Sequence, residues 1–411
     1  MKNVSAMILA GGRGTRMEML CEGRPKPALP FAARFRVIDF SLSNCVHSGI
    51  QDIAVLLDYG RDALRDYLCN GAQWGGRYRA NLQILEPRSG AYVGTADAVY
   101  QNILHFDEQA AELVLVLAAD HIYQMDYRKM VAFHECKGAD VTIGVVSVPI
   151  AEAHRFGIAT TNAEGRMIDF VEKPKVPKGN LASMGIYVFN REVLSERLRE
   201  DAADPSSPHD FGLAVIPKIL GRNQVFAYEF EGYWRDIGTV EAYYEANMGL
   251  ISESPSLNLD HNCPVLTKYA GFLSGEVLRV GNQINSIISP GCLIKGHVEH
   301  SILSPGVEVE EHAVVRNSII MANTTIGRYS MVDRSILDEE ITVGEFCRIG
   351  SEGSPITGNR DITVVGRGAV IPSHTQIGPR WLPSPSLGYP ASSVVASLSA
   401  RLQPGAVLSS K

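Results

Sequence analysis

A chain of 411 residues, 45% hydrophobic and 20% charged, is too long for one ordinary compact core and sets an expectation of two domains. Its formal net charge of −7 argues against the broad basic face of a general nucleic-acid binder, while leaving room for a few local cations around a small anion. The 7 cysteines are scattered and contain no C-x-x-C pair, which points to reduced thiols rather than a disulfide framework or a zinc cluster.

In chain order, the first signal is the short apolar run Ala6–Ala10, which ends in glycines. Similar runs follow at Ile53–Leu57, Leu113–Ala119 and Val141–Val146. Continuous apolar runs of this length suit strands buried on both faces of a parallel sheet. Helix-compatible stretches such as Ser41–His47 and Arg61–Leu68 separate them. Residues 1–250 are therefore expected to form an α/β domain with its sites at the carboxyl ends of the strands. The Ser-, Pro- and Asn-rich stretch Ser252–Pro264 reads as a linker, with 251–280 as the linking region. Glu299-His300-Ser301-Ile302-Leu303 then recurs as Arg316-Asn317-Ser318-Ile319-Ile320 and as Asp333-Arg334-Ser335-Ile336-Leu337, a step of 17 residues each time. Val309, Ile326 and Val343 repeat in parallel, and Asn285-Ser286-Ile287-Ile288 is an earlier copy at a shorter step. A fixed period means a solenoid, and aliphatic residues about six apart suit three short strands per coil of a parallel β-helix. We expect that β-helix over 281–380, with Asp361–Ile377 as a less regular coil, and an extended tail over 381–411 rich in Pro, Ser and Gly. No apolar run approaches the ~20 residues that span a bilayer, and the start of the chain has no signal-peptide core, so the expected location is the cytoplasm.

Gly11-Gly12-Arg13-Gly14-Thr15-Arg16 follows the first expected strand directly. Glycines let backbone N–H groups approach an anion, and arginines match phosphate oxygens. Lys26, in Arg24-Pro25-Lys26-Pro27, offers a further point charge on a stiff loop. A Walker loop needs a Lys-Ser or Lys-Thr pair after its last glycine, and none is here. A dinucleotide fingerprint needs a third glycine where Met17 stands. The bland alternative is a plain glycine turn with surface arginines.

Leu9–Arg16 with Lys26-Pro27 resembles the signature of the sugar-nucleotide pyrophosphorylases, and within them the glucose-1-phosphate adenylyltransferases. The matching stretches continue in the family's order with Phe35–Asn44, Gly94–Val99, Asp120–Tyr123, Phe170–Pro174, Ser183–Tyr187, His209–Gly212 and Tyr233–Thr239. The resemblance implies a Rossmann-like nucleotidyltransferase domain followed by a left-handed parallel β-helix, and a homotetramer. It implies that the loop from Gly11 to Thr15 binds nucleotide phosphates, with Tyr92 and Gly94 at the nucleotide site. Arg16 and Lys26 would neutralise the triphosphate. Asp120 would be the catalytic aspartate, and Asp120 with Asp236 would hold Mg²⁺. Lys173 would meet the phosphate of the sugar phosphate, while Glu172, Ser183 and Gly157 touch the hexose. Several positions depart from the pattern. Ile84–Arg88 lacks a glutamine pair found in many relatives, and Gly23, Gly60 and Ala91 replace residues tied there to allosteric activation.

The implied reaction is attack of a sugar-phosphate oxygen on the α-phosphorus of ATP. Two unit charges 4 Å apart repel by roughly 4 kcal/mol at an effective dielectric of 20, so gathering two polyanions is a large part of the barrier. Positioned cations and in-line geometry supply most of the rate in such transfers. The plain alternatives are Asp120 as a helix cap, Asp236 as the partner of Arg235, and Lys173 as a solvated loop lysine. His209-Asp210 reads as a structural pair, since no nucleophile elbow accompanies it. Competing functions are the same fold with another nucleotide or sugar, a catalytically silent regulatory subunit, or an acyltransferase using His297, His300 or His312 of the β-helix. The β-helix is otherwise expected to do no chemistry and to pack subunits through its flat aliphatic coils.

Overall fold

The computed structural model describes residues 3–12, 14–68, 74, 79–88, 90–104, 111–259, 264–268, 278–279, 281–350, 362–378 and 381–382. Arg13, the side chain of Thr15, part of the expected linker and the tail beyond 382 lie outside the described residues.

The N-terminal domain is built on one nine-stranded sheet. Strands β1 (Val4–Leu9), β2 (Asp52–Leu56), β3 (Asn81–Leu85) and β4 (Leu113–Ala118) run parallel in the spatial order β3-β2-β1-β4. Helices α1 (Ile38–His47), α2 (Arg61–Leu68) and α3 (Thr95–Gln101) lie in the crossovers. Leu113 to Leu117 are all fully buried, as an aliphatic run covered on both faces must be. Past β4 the chain makes the short strand β5 (His121–Tyr123), helix α4 (Tyr127–Lys137), and strands β6 (Val141–Ser147), β7 (Gly157–Thr161), β8 (Met167–Glu172) and β9 (Leu181–Asn190). Helix α5 (Arg191–Ala202), strands β10 (Val225–Glu229) and β11 (Trp234–Asp236), and helix α6 (Val240–Met248) complete the domain.

The sheet is mixed, which corrects the expectation of a parallel one. β9 inserts between β4 and β6 and is antiparallel to both. An apolar run buried on both faces looks the same whichever way its neighbour runs, so the sequence signal carries no direction. Separate hydrophobic clusters cover the two faces, with Ile8, Val55 and Leu115 in one and Met7, Ala54 and Val116 in the other.

The C-terminal part is a left-handed parallel β-helix of three six-stranded sheets. Its paired strands run from Leu278–Arg279 to Trp381–Leu382, slightly beyond each end of 281–380. Coil-to-coil pairs such as Val298↔Val315↔Val332↔Ile349 keep the sequence period. The repeated serines have a physical role: the Ser318 amide donates to Ser301 Oγ at 3.1 Å and the Ser335 amide to Ser318 Oγ at 3.2 Å. Just before them, His300, Asn317 and Arg334 turn the corner with φ of 44°, 47° and 46°.

Each Ser-Ile-Leu unit divides its aliphatic pair. Leu303, Ile320 and Leu337 point into the coil, whereas Ile302, Ile319 and Ile336 pack in a cluster with Val240, Tyr243 and Ala246 of α6. A fully buried isoleucine contributes about 1.5–3 kcal/mol, so this row is a substantial interdomain seam. One aliphatic face expected to pack subunits is thus spent within the chain. Tyr244 adds a hydrogen bond from its hydroxyl to the Asn317 carbonyl at 2.6 Å. The acyltransferase candidates are used differently: His300 Nδ1 lies 3.1 Å from Asn317 Oδ1, His297 approaches Glu299, and His312 stacks on Tyr329. Cys21, Cys45, Cys136, Cys292 and Cys347 are free thiols. Among the described residues no helix is long and apolar enough to cross a membrane.

Candidate active site

The parallel strands end where the strand order reverses, between β1 and β4, and that is where an open α/β sheet offers a crevice. β1 feeds the glycine loop, and Gly14 caps the following 3₁₀ helix Thr15–Cys21 with φ 58°. A Cβ there would lie 2.7 Å from Cys21 Sγ and 2.9 Å from Lys26 Cγ, so only glycine lets the Lys26 stem pass behind the loop. Lys26, flanked by Pro25 and Pro27, is buried and its Nζ donates to Asp120 Oδ2 at 3.3 Å. Asp120 lies just past β4. It does not cap a helix, because β5 follows it directly.

Burial pushes the Asp120 carboxyl up, but the neighbouring His121 and Lys26 charges and the Lys26 hydrogen bond overcome this and hold it down at about 2. It is an anion throughout the physiological range. Asp236, at the centre of Trp234-Arg235-Asp236-Ile237-Gly238, lies in a strand rather than a turn. It ends β11, which pairs with β5 so that Asp236 stands opposite His121. Its carboxylate accepts from Arg155 Nη2 at 2.9 Å, while Arg235 pairs with Glu245 instead. Arg16 is near: its Nη2 is 3.3 Å from the Cβ position of Gly238, which is itself 2.9 Å from both Asp236 oxygens.

Arg16, Lys26, Asp120, Asp236, Gly157, Glu172, Lys173 and Ser183 all line one cavity of ≈ 200 Å³, together with His121, Arg155 and Tyr187. Gly157 and Glu172 are cross-strand partners on β7 and β8. Lys173 follows with φ 46°, a strained backbone for a lysine of the kind that clusters at functional sites. Its exposed Nζ reaches Glu172 Oε1 at 2.7 Å. A bulge in β9 between Ser183 and Ile186 turns Ser183 towards the cavity, and the Gly185 amide donates to its hydroxyl at 3.3 Å.

A second cavity of ≈ 210 Å³ takes Gly11, Tyr92 and Gly94, with Leu9, Leu56, Asp58 and Asp210. The Tyr92 hydroxyl accepts from Asn102 at 3.0 Å, and burial pushes its phenol up to about 12, so it stays neutral. Gly12 is exposed beside this opening. Asp210 caps the turn at Phe211 and accepts from Thr95 at 2.9 Å, while His209 pairs with Asp201. Thus His209 and Asp210 have separate structural partners.

Sequence reasoning did not single out His121, Arg155 or Asp58 as site residues. His121 stands within the Asp120–Tyr123 stretch and Arg155 two residues before Gly157, but only the β5–β11 pairing and the Arg155–Asp236 ion pair place them beside Asp120 and Asp236. Among the described residues, Asp120, His121 and Asp236 offer ligand atoms all within 4.8 Å of one another. Two carboxylates with room for phosphate and water oxygens suit a hard cation such as Mg²⁺. His121 Nδ1 is buried without a hydrogen-bond partner among the described residues, and its nitrogen is a poorer match for that ion than the two carboxylates.

Residues 5–253 match the nucleotidyl transferase family, and residues 269–371 match the GlmU-like C-terminal hexapeptide family. The chain is similar to a protein of Fervidobacterium nodosum named glucose-1-phosphate adenylyltransferase, 46% identical over 92% of this chain and 94% of the relative. It is also similar to proteins of that name from Desulforamulus reducens, at 42% over 90% of this chain and 96% of the relative, and Acetivibrio thermocellus, at 42% over 92% of each.

Proposed function

The chain belongs to the nucleotidyl transferase family, and on that premise we propose that it transfers the adenylyl group of ATP to glucose 1-phosphate, giving ADP-glucose and pyrophosphate for α-glucan synthesis. The observation that carries this reading is one cavity in which Arg16, Lys26 and Lys173 face Asp120 and Asp236.

The sugar-phosphate oxygen is already an anion, so no strong base is required. Lys173 and Glu172, with Gly157 and Ser183, orient the hexose phosphate at one end of the cavity. Arg16 and Lys26 draw the triphosphate to the other end, and the glycine amides after β1 receive its oxygens. Tyr92 and Gly94 border the pocket for the nucleoside. Lys26 is held by Asp120 before substrate arrives, so its charge is in place rather than swinging in from solvent. Magnesium held by Asp120 and Asp236 would neutralise phosphate charge between the two substrates.

The test is pyrophosphate release from glucose 1-phosphate with each of ATP, UTP, dTTP and GTP. Preference for another nucleotide would make the chain a pyrophosphorylase of the same fold with a different product. No release with any of them would leave a silent subunit, against which the intact set of Arg16, Lys26, Asp120, Lys173 and Asp236 argues. We place the enzyme in the cytoplasm as a homotetramer. A monomeric mass by light scattering at micromolar concentration would overturn that assembly.

A further inference from the structure

The Arg24 side chain is 1% exposed and joins three parts of the molecule. Its Nε donates to the Leu20 carbonyl at 2.8 Å, at the end of the 3₁₀ helix that carries Arg16. Its Nη2 donates to both oxygens of Asp338 at 2.8 and 2.9 Å, and its Nη1 to Glu339 Oε2 at 3.1 Å. Asp338 and Glu339 sit on a turn of the β-helix, directly after Leu337. Two residues beyond Arg24 comes Lys26, between two prolines. Behind the loop, a Cβ on Gly60 would lie 2.9 Å from Pro25 Cδ and 3.0 Å from Arg24 Cα, so the segment packs close against Gly60, where only glycine fits.

Glu339 also accepts from Arg36 at 2.9 Å and Arg367 at 2.6 Å. Burial pushes its carboxyl up, yet these guanidiniums together hold it below the usual range. A buried ion pair is a poor device for stability alone, because well-packed apolar residues of similar volume often do as well or better. What it supplies is a fixed geometry, and a proline-stiffened loop passes that geometry on rather than absorbing it.

We infer that Asp338 and Glu339 of the β-helix are positioning residues for the reaction: they fix Arg24, and through it the alignment of Lys26 and Arg16 over the nucleotide phosphates. The inference rests on the proposed role of Lys26 and gives the β-helix a part in turnover that it does not perform by contact with substrate. Misplacing a catalytic cation by about 1 Å can cost as much as about 10²-fold in rate.

The experiment compares full-length wild type with Asp338→Asn, Glu339→Gln and Tyr244→Phe, measuring kcat, KM for both substrates, and melting temperature. Tyr244→Phe is the control, since it removes another interdomain hydrogen bond without touching Arg24. Glu339→Gln is the milder clamp variant, for the case that Asp338→Asn does not fold. For the clamp variants kcat falls about tenfold or more, with KM for glucose 1-phosphate within about threefold, because the hexose side of the cavity stands on the sheet and not on the clamp. Tyr244→Phe keeps the wild-type kcat whatever its melting temperature. If the clamp variants keep kcat within about twofold while wild type is active, or if Tyr244→Phe loses as much as they do, the inference fails and the assigned reaction stands. Absence of pyrophosphate release by wild type would instead remove the reaction itself.

Discussion

Gly157 and Glu172 face each other across the β7–β8 ladder so closely that a Cβ on Gly157 would sit 2.6 Å from Glu172 Oε2. The same oxygen lies 2.6 Å from the Cβ position of Gly212. Two glycines therefore leave the Glu172 carboxylate a single berth, and the Phe170 ring closes the remaining side of Gly157. Gly157→Ala forces Glu172 to move. The expected outcome is a fall of about 10- to 100-fold in kcat/KM for glucose 1-phosphate, with KM for ATP nearly unchanged. Steady-state kinetics with each substrate varied in turn checks it.

Asp120→Asn keeps the shape of the side chain and removes its charge. Turnover should fall by roughly 10²-fold or more, comparable to losing a preorganised charge-stabilising group. The melting transition should remain cooperative, because Asp120 is partly exposed and the Asn oxygen can still accept from Lys26. Near-normal turnover would remove Asp120 from the mechanism.

The four aliphatic runs identified strands because burial on both faces requires an unbroken apolar segment, and the Ser-Ile repeat identified the coil because each turn needs the same corner. Direction and partnership were not legible. Nothing local in Leu181–Asn190 says that it would separate β4 from β6 and run against both. The motif residues Arg16, Lys26, Asp120, Glu172, Lys173, Ser183 and Asp236 are spread over much of the first domain, and the fold gathers them at one cavity. His121 and Arg155 escaped notice because their roles depend on the β5–β11 pairing. The Arg24–Asp338 contact escaped for the same reason in stronger form: 314 residues separate the partners, and no periodicity or spacing links them.

Metal dependence gives a third prediction. Chelation with EDTA should abolish turnover and Mg²⁺ should restore it. Mn²⁺ titration followed by paramagnetic resonance supplies a readout apart from activity. Asp236→Asn removes one of the two carboxylates and should weaken Mn²⁺ binding about tenfold or more, in line with the loss expected when a site's ligand shell is disturbed. Unchanged Mn²⁺ affinity in that variant would exclude Asp236 as a ligand.

A fourth prediction concerns Asp39, which lies at the start of α1 and is 0% exposed. The Tyr67 hydroxyl lies 2.8 and 2.7 Å from its two oxygens, and the Arg36 amide donates to Oδ2 at 2.9 Å. Burial outweighs these hydrogen bonds and pushes its carboxyl up from 3.8 to about 7. Between those values the folded chain holds a proton that the unfolded chain releases. Native protein then binds more protons than unfolded, so stability from this group falls as pH rises through the window and levels off above about 7. At about 1.4 kcal/mol per pKa unit, two units between pH 5 and pH 7 cost about 2–3 kcal/mol. Asp39→Asn cannot lose that proton. Urea unfolding at pH 5 and pH 8 should therefore show wild type losing stability relative to the variant by about that amount, even though both share every other titrating group. A difference between wild type and variant that stays constant across the two pH values would show that Asp39 ionises in the folded protein as it does in the unfolded chain.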